Sequence, residues 1–99
     1  MINAIDARKL TQQGFEKQRK YVEKYLSDNQ NKFIKVIEQA ASWGRTRAYL
    51  PVEISTQGEF MSFTYDIIDK FFTEAGFKFE KVERNGSVIK TIIINWEEE

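Results

Sequence analysis

A short segment with two arginines and two aromatic residues is the part of this sequence best suited to bind a ligand. It spans residues 43–49 and reads WGRTRAY. Arg45 and Arg47 are two positions apart at the start of a predicted strand, so both side chains can project to one side. Guanidinium groups bind phosphates and carboxylates through paired hydrogen bonds, and Trp or Tyr rings stack on nucleobases. The segment predicts a ligand site made of Trp43, Arg45, Arg47 and Tyr49.

The same segment also has a purely structural interpretation. A tryptophan at the end of a helix commonly packs against its own turn. Basic residues on an edge strand protect that strand from pairing with another chain. Both interpretations remain open from the sequence.

Residues for acid–base, nucleophilic or metal chemistry are scarce. The chain contains no histidine and no cysteine, which closes most general-base, nucleophilic and zinc schemes. Asp66 and Asp69 lie one helical turn apart, as paired carboxylates would, but they fit the charged outer stripe of a helix. No glycine-rich phosphate loop is present. We therefore expect no catalytic residue, no metal, no cofactor and no enzymatic activity.

The composition predicts one soluble domain over residues 1–99. No apolar run approaches the ~20 residues of a membrane span, and the N-terminus lacks a signal-peptide pattern, so we expect a cytoplasmic protein without a membrane partner. The net charge is zero, yet it is uneven: residues 1–50 carry ten basic and five acidic side chains, and residues 51–99 carry five and ten. A basic surface over the whole chain, as nucleic-acid-binding proteins have, is absent, so we do not expect nucleic acid as a partner.

Three amphipathic helices are predicted over about residues 4–26, 32–43 and 62–75. Asn3 is the expected N-cap of the first, and Gly44 the expected C′ residue of the second. The polar segment 27–31 lies between them, where either a break or one continuous helix is compatible with the pattern. Residues 45–54 alternate apolar and polar side chains as a half-buried strand does, and Pro51 favours an edge position or an early end.

The stretch 77–96 is predicted to form a β-hairpin around Asn85-Gly86, a dipeptide that favours a type I′ turn. The resulting register pairs Arg84 with Ser87, Val82 with Ile89, Phe79 with Ile92, and Phe77 with Ile94. In this register Phe77, Phe79, Ile92 and Ile94 share one face. The second strand is apolar on both faces, which predicts a central position in the sheet.

The element order α-α-β-α-β-β predicts an α+β fold with a three-stranded antiparallel sheet, order 1-3-2, and helices on one face. The chain then divides into a helical half (1–44), a β-α-β-β half (45–96) and an acidic tail (97–99). The uncovered face predicts an interface made of Val82, Ile89, Thr91 and Ile93. Two such faces stacked together would give a homo-oligomer.

Four segments carry a resemblance to a known group of proteins: the start MINAIDAR, the helix end ASWG, the step FTEAGFKF and the end IIINW. Together they resemble a widespread set of small tailed-phage accessory proteins, which open Met-Ile-x-Ala-x-x-Ala-Arg and end Ile-x-Trp. Phe77 stands where these proteins usually have Tyr. The resemblance implies a phage-encoded accessory protein made in an infected bacterium, and it assigns no activity to any residue.

Three functions are compatible with such a protein. The first is counter-defence by sequestration of a small ligand, such as a nucleotide immune signal, with its phosphates at Arg45 and Arg47. The second is inhibition or adaptation of a host protein through the open sheet face. The third is nucleic-acid binding by a lysine-rich helix face, against which the zero net charge counts. That face carries Lys9, Lys17, Lys20 and Lys24.

Overall fold

The computed structural model describes residues 3–56 and 58–97. Its elements are α1 (Ala4–Asp28), α2 (Gln30–Ser42), β1 (Arg47–Ser55), α3 (Phe60–Glu74), β2 (Lys78–Asn85) and β3 (Val88–Asn95). The strands form one antiparallel sheet in the order β1-β3-β2. The predicted element order, the α+β class and the central position of the last strand are confirmed. Glu98 and Glu99 of the predicted acidic tail lie outside the described residues.

Helices α1 and α2 follow one another with a single residue between them. The Asn3 side chain caps α1 by accepting a hydrogen bond from the Asp6 N–H at 2.9 Å. Asn29 separates the two helices, although its own N–H still donates to the Tyr25 carbonyl at 3.1 Å. The protein is elongated, with extents of 60 × 25 × 23 Å. Residues 4–13 of α1 are all exposed, so its first turns extend beyond the core.

The end of α2 fixes how the chain enters the sheet. Gly44 has φ +79 and donates its N–H to Ala41, while the Arg45 N–H donates to Ala40, both at 3.0 Å. This pair of bonds is a Schellman motif, which needs a left-handed residue at the glycine position. The motif confirms the predicted C′ role of Gly44. It also places Trp43 and Arg45 on either side of a sharp turn, directly before β1.

One core lies between the helices and one face of the sheet. Strand β1 alternates exposed and buried residues along its whole length, as predicted. The strands and all three helices contribute to this core, whose fully buried large side chains include Val22, Leu26, Leu50, Ile54, Ile68, Ile89, Ile92 and Ile94. The opposite face, here called the outer face, carries Arg47, Tyr49, Thr91, Ile93 and Asn95, which are cross-strand neighbours.

Side chains of α1 pair with the free edge of β1. The Tyr25 hydroxyl accepts from the Glu53 N–H at 2.8 Å, and the Tyr21 hydroxyl accepts from the Ser55 N–H at 3.0 Å. Gln18 donates its side-chain amide to the Ser55 carbonyl at 3.0 Å. Because β1 is an edge strand, these bonds satisfy backbone groups that would otherwise face another chain.

The predicted hairpin forms, but its turn is one residue later than predicted. The turn residues are Gly86 and Ser87, and Asn85 is the last residue of β2. Gly86 has φ +63, and Ser87 has no positive φ. A type I′ turn needs a positive φ at both positions, whereas glycine at the first position alone fits type II′. The predicted type I′ turn is therefore wrong.

The shifted turn changes the whole register. Arg84 pairs with Ile89 instead of Ser87, a shift of two positions. An irregularity just before Arg84 adds one more position, so that Val82 pairs with Ile92. Because side chains alternate between faces, an odd shift moves a residue to the other face.

The prediction that Val82 and Ile89 lie on the uncovered face is therefore wrong. Ile89 has 0% exposure and belongs to the core, opposite Ile54, and Val82 packs partly buried against the same core. Thr91 and Ile93 remain on the outer face. The physical cause is the irregular pairing of β3 with both β1 and β2. No local pattern in the apolar sequence of β3 predicts this irregularity.

The predicted grouping on one face is confirmed for Phe79, Ile92 and Ile94, while Phe77 precedes β2 and packs against the same core. Their pairing differs from the prediction: Phe79 lies opposite Ile94, and Phe77 precedes β2. Phe77 instead packs edge-on against Trp96, with ring centroids 6.0 Å apart.

Candidate ligand-binding site

The junction between α2 and β1 exposes an arginine whose guanidinium lies over a tryptophan ring. The Arg45 guanidinium carbon lies 5.4 Å from the centre of the Trp43 ring, within the range of a cation–π contact. Trp43 is 62% exposed, the largest value among the exposed large apolar side chains of the described residues. Arg45 has no carboxylate partner in the described part of the chain. Its hydrogen-bond donors are therefore available to an anion.

The second arginine of the predicted site has a different environment. Arg47 donates from Nε and Nη2 to Glu80 Oε1 at 3.1 and 2.9 Å. The Asn95 side-chain amide donates to the same carboxylate oxygen at 2.6 Å. Arg47, Asn95 and Glu80 come from β1, β3 and β2 in that order, so this polar group crosses the whole outer face.

The charges of this group stabilise one another. The pKa of Glu80 is lowered from its ordinary value, first by the Asn95 hydrogen bond and then by the bond to Arg47. The pKa of Arg47 is raised, chiefly by its hydrogen bond to Glu80 and less by the neighbouring Tyr49 hydroxyl. Both groups are solvent-accessible, so water screens the pair and its contribution to folding is small.

The four predicted ligand-binding residues thus form two adjacent pairs. Trp43 contacts Arg45, and Arg47 lies beside Tyr49, which is 52% exposed. The residue between the two arginines is fixed by the sheet, because the Thr46 carbonyl accepts from the Trp96 N–H at 2.9 Å. The backbone between the pairs is therefore held in place, and the side chains are accessible.

The predicted interface residues are not a contiguous apolar patch. Val82 and Ile89 face the core, and Ile93 is 2% exposed although it lies on the outer face. Its cross-strand partners are Tyr49 and Lys81, whose long side chains flank it. Nearby, Lys90 and Glu53 form an ion pair of 3.2 Å. The outer face is therefore mainly polar and partly ion-paired.

A groove of about 630 Å³ lies between α1 and α3. Half-buried Phe63, Ile67 and Phe71 contribute apolar side chains to its wall. Arg19, which also lines it, is bound to Glu16 at 3.2 Å and lies 5.6 Å from the centre of the Phe63 ring. Residues of both charges line this groove, so they do not select one kind of ligand.

Two further findings concern the described residues alone. No group of three potential metal ligands occurs among them. None of their helices combines the length and the apolar character needed to cross a membrane.

Sequence reasoning identified the exposed arginine and aromatic residues but missed their partners. Glu80 and Asn95 determine what Arg47 contacts, yet each stands alone as an ordinary polar strand residue. Only the sheet order and the irregular pairing after Phe79 bring them to Arg47.

The edge-capping role of Tyr21 and Tyr25 was missed as well. Their spacing of four on a helix was a usable signal, because it puts both hydroxyls on one face.

Comparison with protein-family models, curated proteins and solved structures finds no significant match to this chain.

Proposed function

We propose that this chain is a non-enzymatic, phage-encoded accessory protein that binds and sequesters a small anionic ligand with an aromatic ring, such as a nucleotide immune signal. The observation that carries the proposal is the exposed Trp43–Arg45 pair, in which the guanidinium lacks a carboxylate partner among the described residues. An arginine without a carboxylate partner beside an exposed indole combines the two groups that recognise a nucleotide.

The geometry of the pair favours an anion bearing a ring. A guanidinium carries its N–H donors in its own plane, where they can bind phosphate oxygens side by side. The cation–π contact with Trp43 also restricts Arg45 before binding, which lowers the entropy lost when a ligand is bound. The exposed faces of Trp43 and Tyr49 offer surfaces on which a nucleobase can stack.

Arg47 contributes to the proposed site only when the ligand competes successfully with Glu80. Its guanidinium is bound to Glu80, so a ligand phosphate must compete with a carboxylate that is already in place. A ligand with two phosphates can engage Arg45 first and Arg47 second. Removal of the Glu80 charge is therefore expected to increase affinity, and loss of Arg45 to decrease it.

Binding without turnover agrees with the chemistry of the junction. Two groups in the site have shifted pKa values, Arg47 and Glu80, and they are bound to each other. The pKa of Arg47 is raised and that of Glu80 is lowered, as expected of an ion pair. Neither is placed as a general acid or base beside a nucleophile.

The second candidate function, inhibition of a host protein through the outer face, has less support because Val82 and Ile89 point to the core.

A thermal-shift titration tests the proposal. The panel contains linear mononucleotides, cyclic dinucleotides, cyclic trinucleotides and inorganic phosphate. At least one nucleotide should raise the Tm in a concentration-dependent way, because a ligand that binds only the folded state stabilises it. Arg45→Ala should abolish the shift. Arg8→Ala is the matched control, since Arg8 is an exposed arginine on α1 and its loss should leave the shift unchanged.

The absence of a shift across the panel would overturn the nucleotide proposal. A shift that survives in Arg45→Ala would overturn the assigned site. Release of the bound nucleotide unchanged, checked by mass spectrometry after denaturation, is expected of a sequestering protein, and a processed product would contradict the non-enzymatic part.

A further inference from the structure

One face of α1 carries a row of lysines, defined here as Lys9, Lys17, Lys20 and Lys24 and called the lysine row. A shallow surface depression is lined by three of them together with Gln12, Gln13 and Glu16. Lys24 follows Lys20 by four residues on the same helix, which puts it on the same face. All four are exposed. The row spans about 22 Å, from fifteen residues at 1.5 Å each.

The lysine row is the largest group of basic side chains on one helix face that lacks carboxylate partners among the described residues. Arg45, Lys32 and Lys81 also lack such partners, but they lie on different elements. Arg19, Arg47, Lys70 and Lys90 each have a carboxylate partner. None of the four row lysines has one among the described residues. The one carboxylate in the depression, Glu16, is bound to Arg19 at 3.2 Å.

Repulsion between the lysines of the row destabilises the isolated helix. Lys17, Lys20 and Lys24 are neighbours at spacings of three and four, where like charges destabilise a helix by roughly 0.2–0.5 kcal/mol per pair. An anionic polymer placed along the row would reverse this effect, because each ammonium group would then face a phosphate.

We propose that the lysine row binds the phosphate backbone of a double-stranded nucleic acid without regard to sequence. Charge complementarity carries this inference: four exposed ammonium groups without carboxylate partners along one helix face complement the negative charge of a phosphate backbone. Lysine contacts to phosphate supply sequence-independent affinity. The proposal is independent of the small-ligand site, which lies at the C-terminal end of α2.

The surroundings of the row favour a duplex over a single strand. Single strands are bound largely by stacking of their bases on aromatic rings. The aromatic residues of α1 point elsewhere: Phe15 contacts Phe60 and Phe63, and the hydroxyls of Tyr21 and Tyr25 bind the edge of β1. A membrane surface is also disfavoured, because the apolar face of α1 containing Val22 and Leu26 is buried in the core.

The test measures retention of labelled 30-base-pair duplex DNA, duplex RNA and single-stranded DNA against salt concentration. For four phosphate contacts to duplex DNA, log K should fall with log salt with a slope of about −3.6. Replacement of all four row lysines by glutamine should abolish duplex binding. The control variant removes four lysines outside the row, at positions 32, 70, 81 and 90, and should retain most of the affinity and the same slope.

Thermal unfolding without nucleic acid separates this role from a structural one. The variant with glutamine at the four row positions should fold with a Tm close to that of the unmodified protein, because all four side chains are exposed. Binding of either duplex that depends on the row supports the proposal. Equal loss of binding in both variants, tighter binding of the single strand, or binding of heparin but of no duplex would overturn it.

Discussion

The Tyr25 hydroxyl accepts a hydrogen bond from the backbone N–H of Glu53, at 2.8 Å. One helical turn away, Tyr21 does the same for Ser55 at 3.0 Å. Pro51, next in this alternation, has no N–H to offer. The second half of the β1 edge is therefore closed to another strand. The first half contains Arg47 and Tyr49, which belong to the proposed ligand site.

Loss of the Tyr25 hydroxyl is expected to open this edge. Tyr25→Phe should lower the free energy of unfolding by about 0.5–1.5 kcal/mol, the usual net value of one hydrogen bond. The Glu53 amide should exchange faster in hydrogen-exchange measurements. Tyr65→Phe is the control, because the half-buried Tyr65 hydroxyl makes no hydrogen bond with any described residue. An unchanged Glu53 exchange rate in Tyr25→Phe would contradict the capping role.

The face assignment of β3 predicts unequal effects at neighbouring positions. Ile89→Ala should lower the free energy of unfolding by about 2–5 kcal/mol, because Ile89 is fully buried in the core. Thr91→Ala, on the outer face, should change it by less than about 1 kcal/mol. Urea unfolding of both variants measures the difference. Similar small effects at both positions would mean that Ile89 lies on the outer face after all.

The comparison of these two residues explains how much of the fold the sequence could predict. The helices, the β1 alternation and the strand order follow from periodicity, caps and glycine positions. The hairpin register does not, because Asn85-Gly86 and Gly86-Ser87 are both acceptable turns and differ by two positions in pairing. The apolar strand β3 tolerates either choice, since it has isoleucines on both faces. Its register is therefore decided by tertiary packing.

The same reason limits prediction of the candidate site. Trp43, Arg45, Arg47 and Tyr49 could be selected by residue type and spacing alone. The bond between Arg47 and Glu80 depends on residues 33 positions apart and on an irregular strand pair. Sequence reasoning therefore treated the two arginines as equivalent, and the structure makes only Arg45 freely available.

Two glycine-to-alanine changes should have opposite signs. Gly44 has φ +79, so Gly44→Ala places a side chain in left-handed backbone and should destabilise the protein by about 1–2 kcal/mol. Gly14 lies inside α1, where alanine is favoured by up to about 1 kcal/mol. A Cβ there would sit 3.4 Å from Phe60 Cζ, a contact that a small ring movement relieves. Thermal unfolding should show a lower Tm for the first variant and a higher one for the second.

Acid should remove the contribution of Glu80. Its pKa is lower in the folded chain than the ordinary 4.5. The carboxylate therefore stabilises the fold fully above that ordinary value, and the effect is lost as the pH falls through the folded-state pKa. The Tm difference between the unmodified protein and Glu80→Gln should be constant at neutral pH and shrink below about pH 4.5. A difference that grows on acidification would contradict the pKa direction.

The most direct test of the ligand site uses Trp43 as the reporter. The chain has two tryptophans, and Trp96→Phe leaves only the exposed Trp43. Titration of this variant with the nucleotide that gives the largest thermal shift should change Trp43 fluorescence in a saturable way. Adding Glu80→Gln should increase the affinity several-fold, and adding Arg45→Ala should abolish the change. A nucleotide that binds by calorimetry without altering Trp43 fluorescence would show that the ligand is held elsewhere.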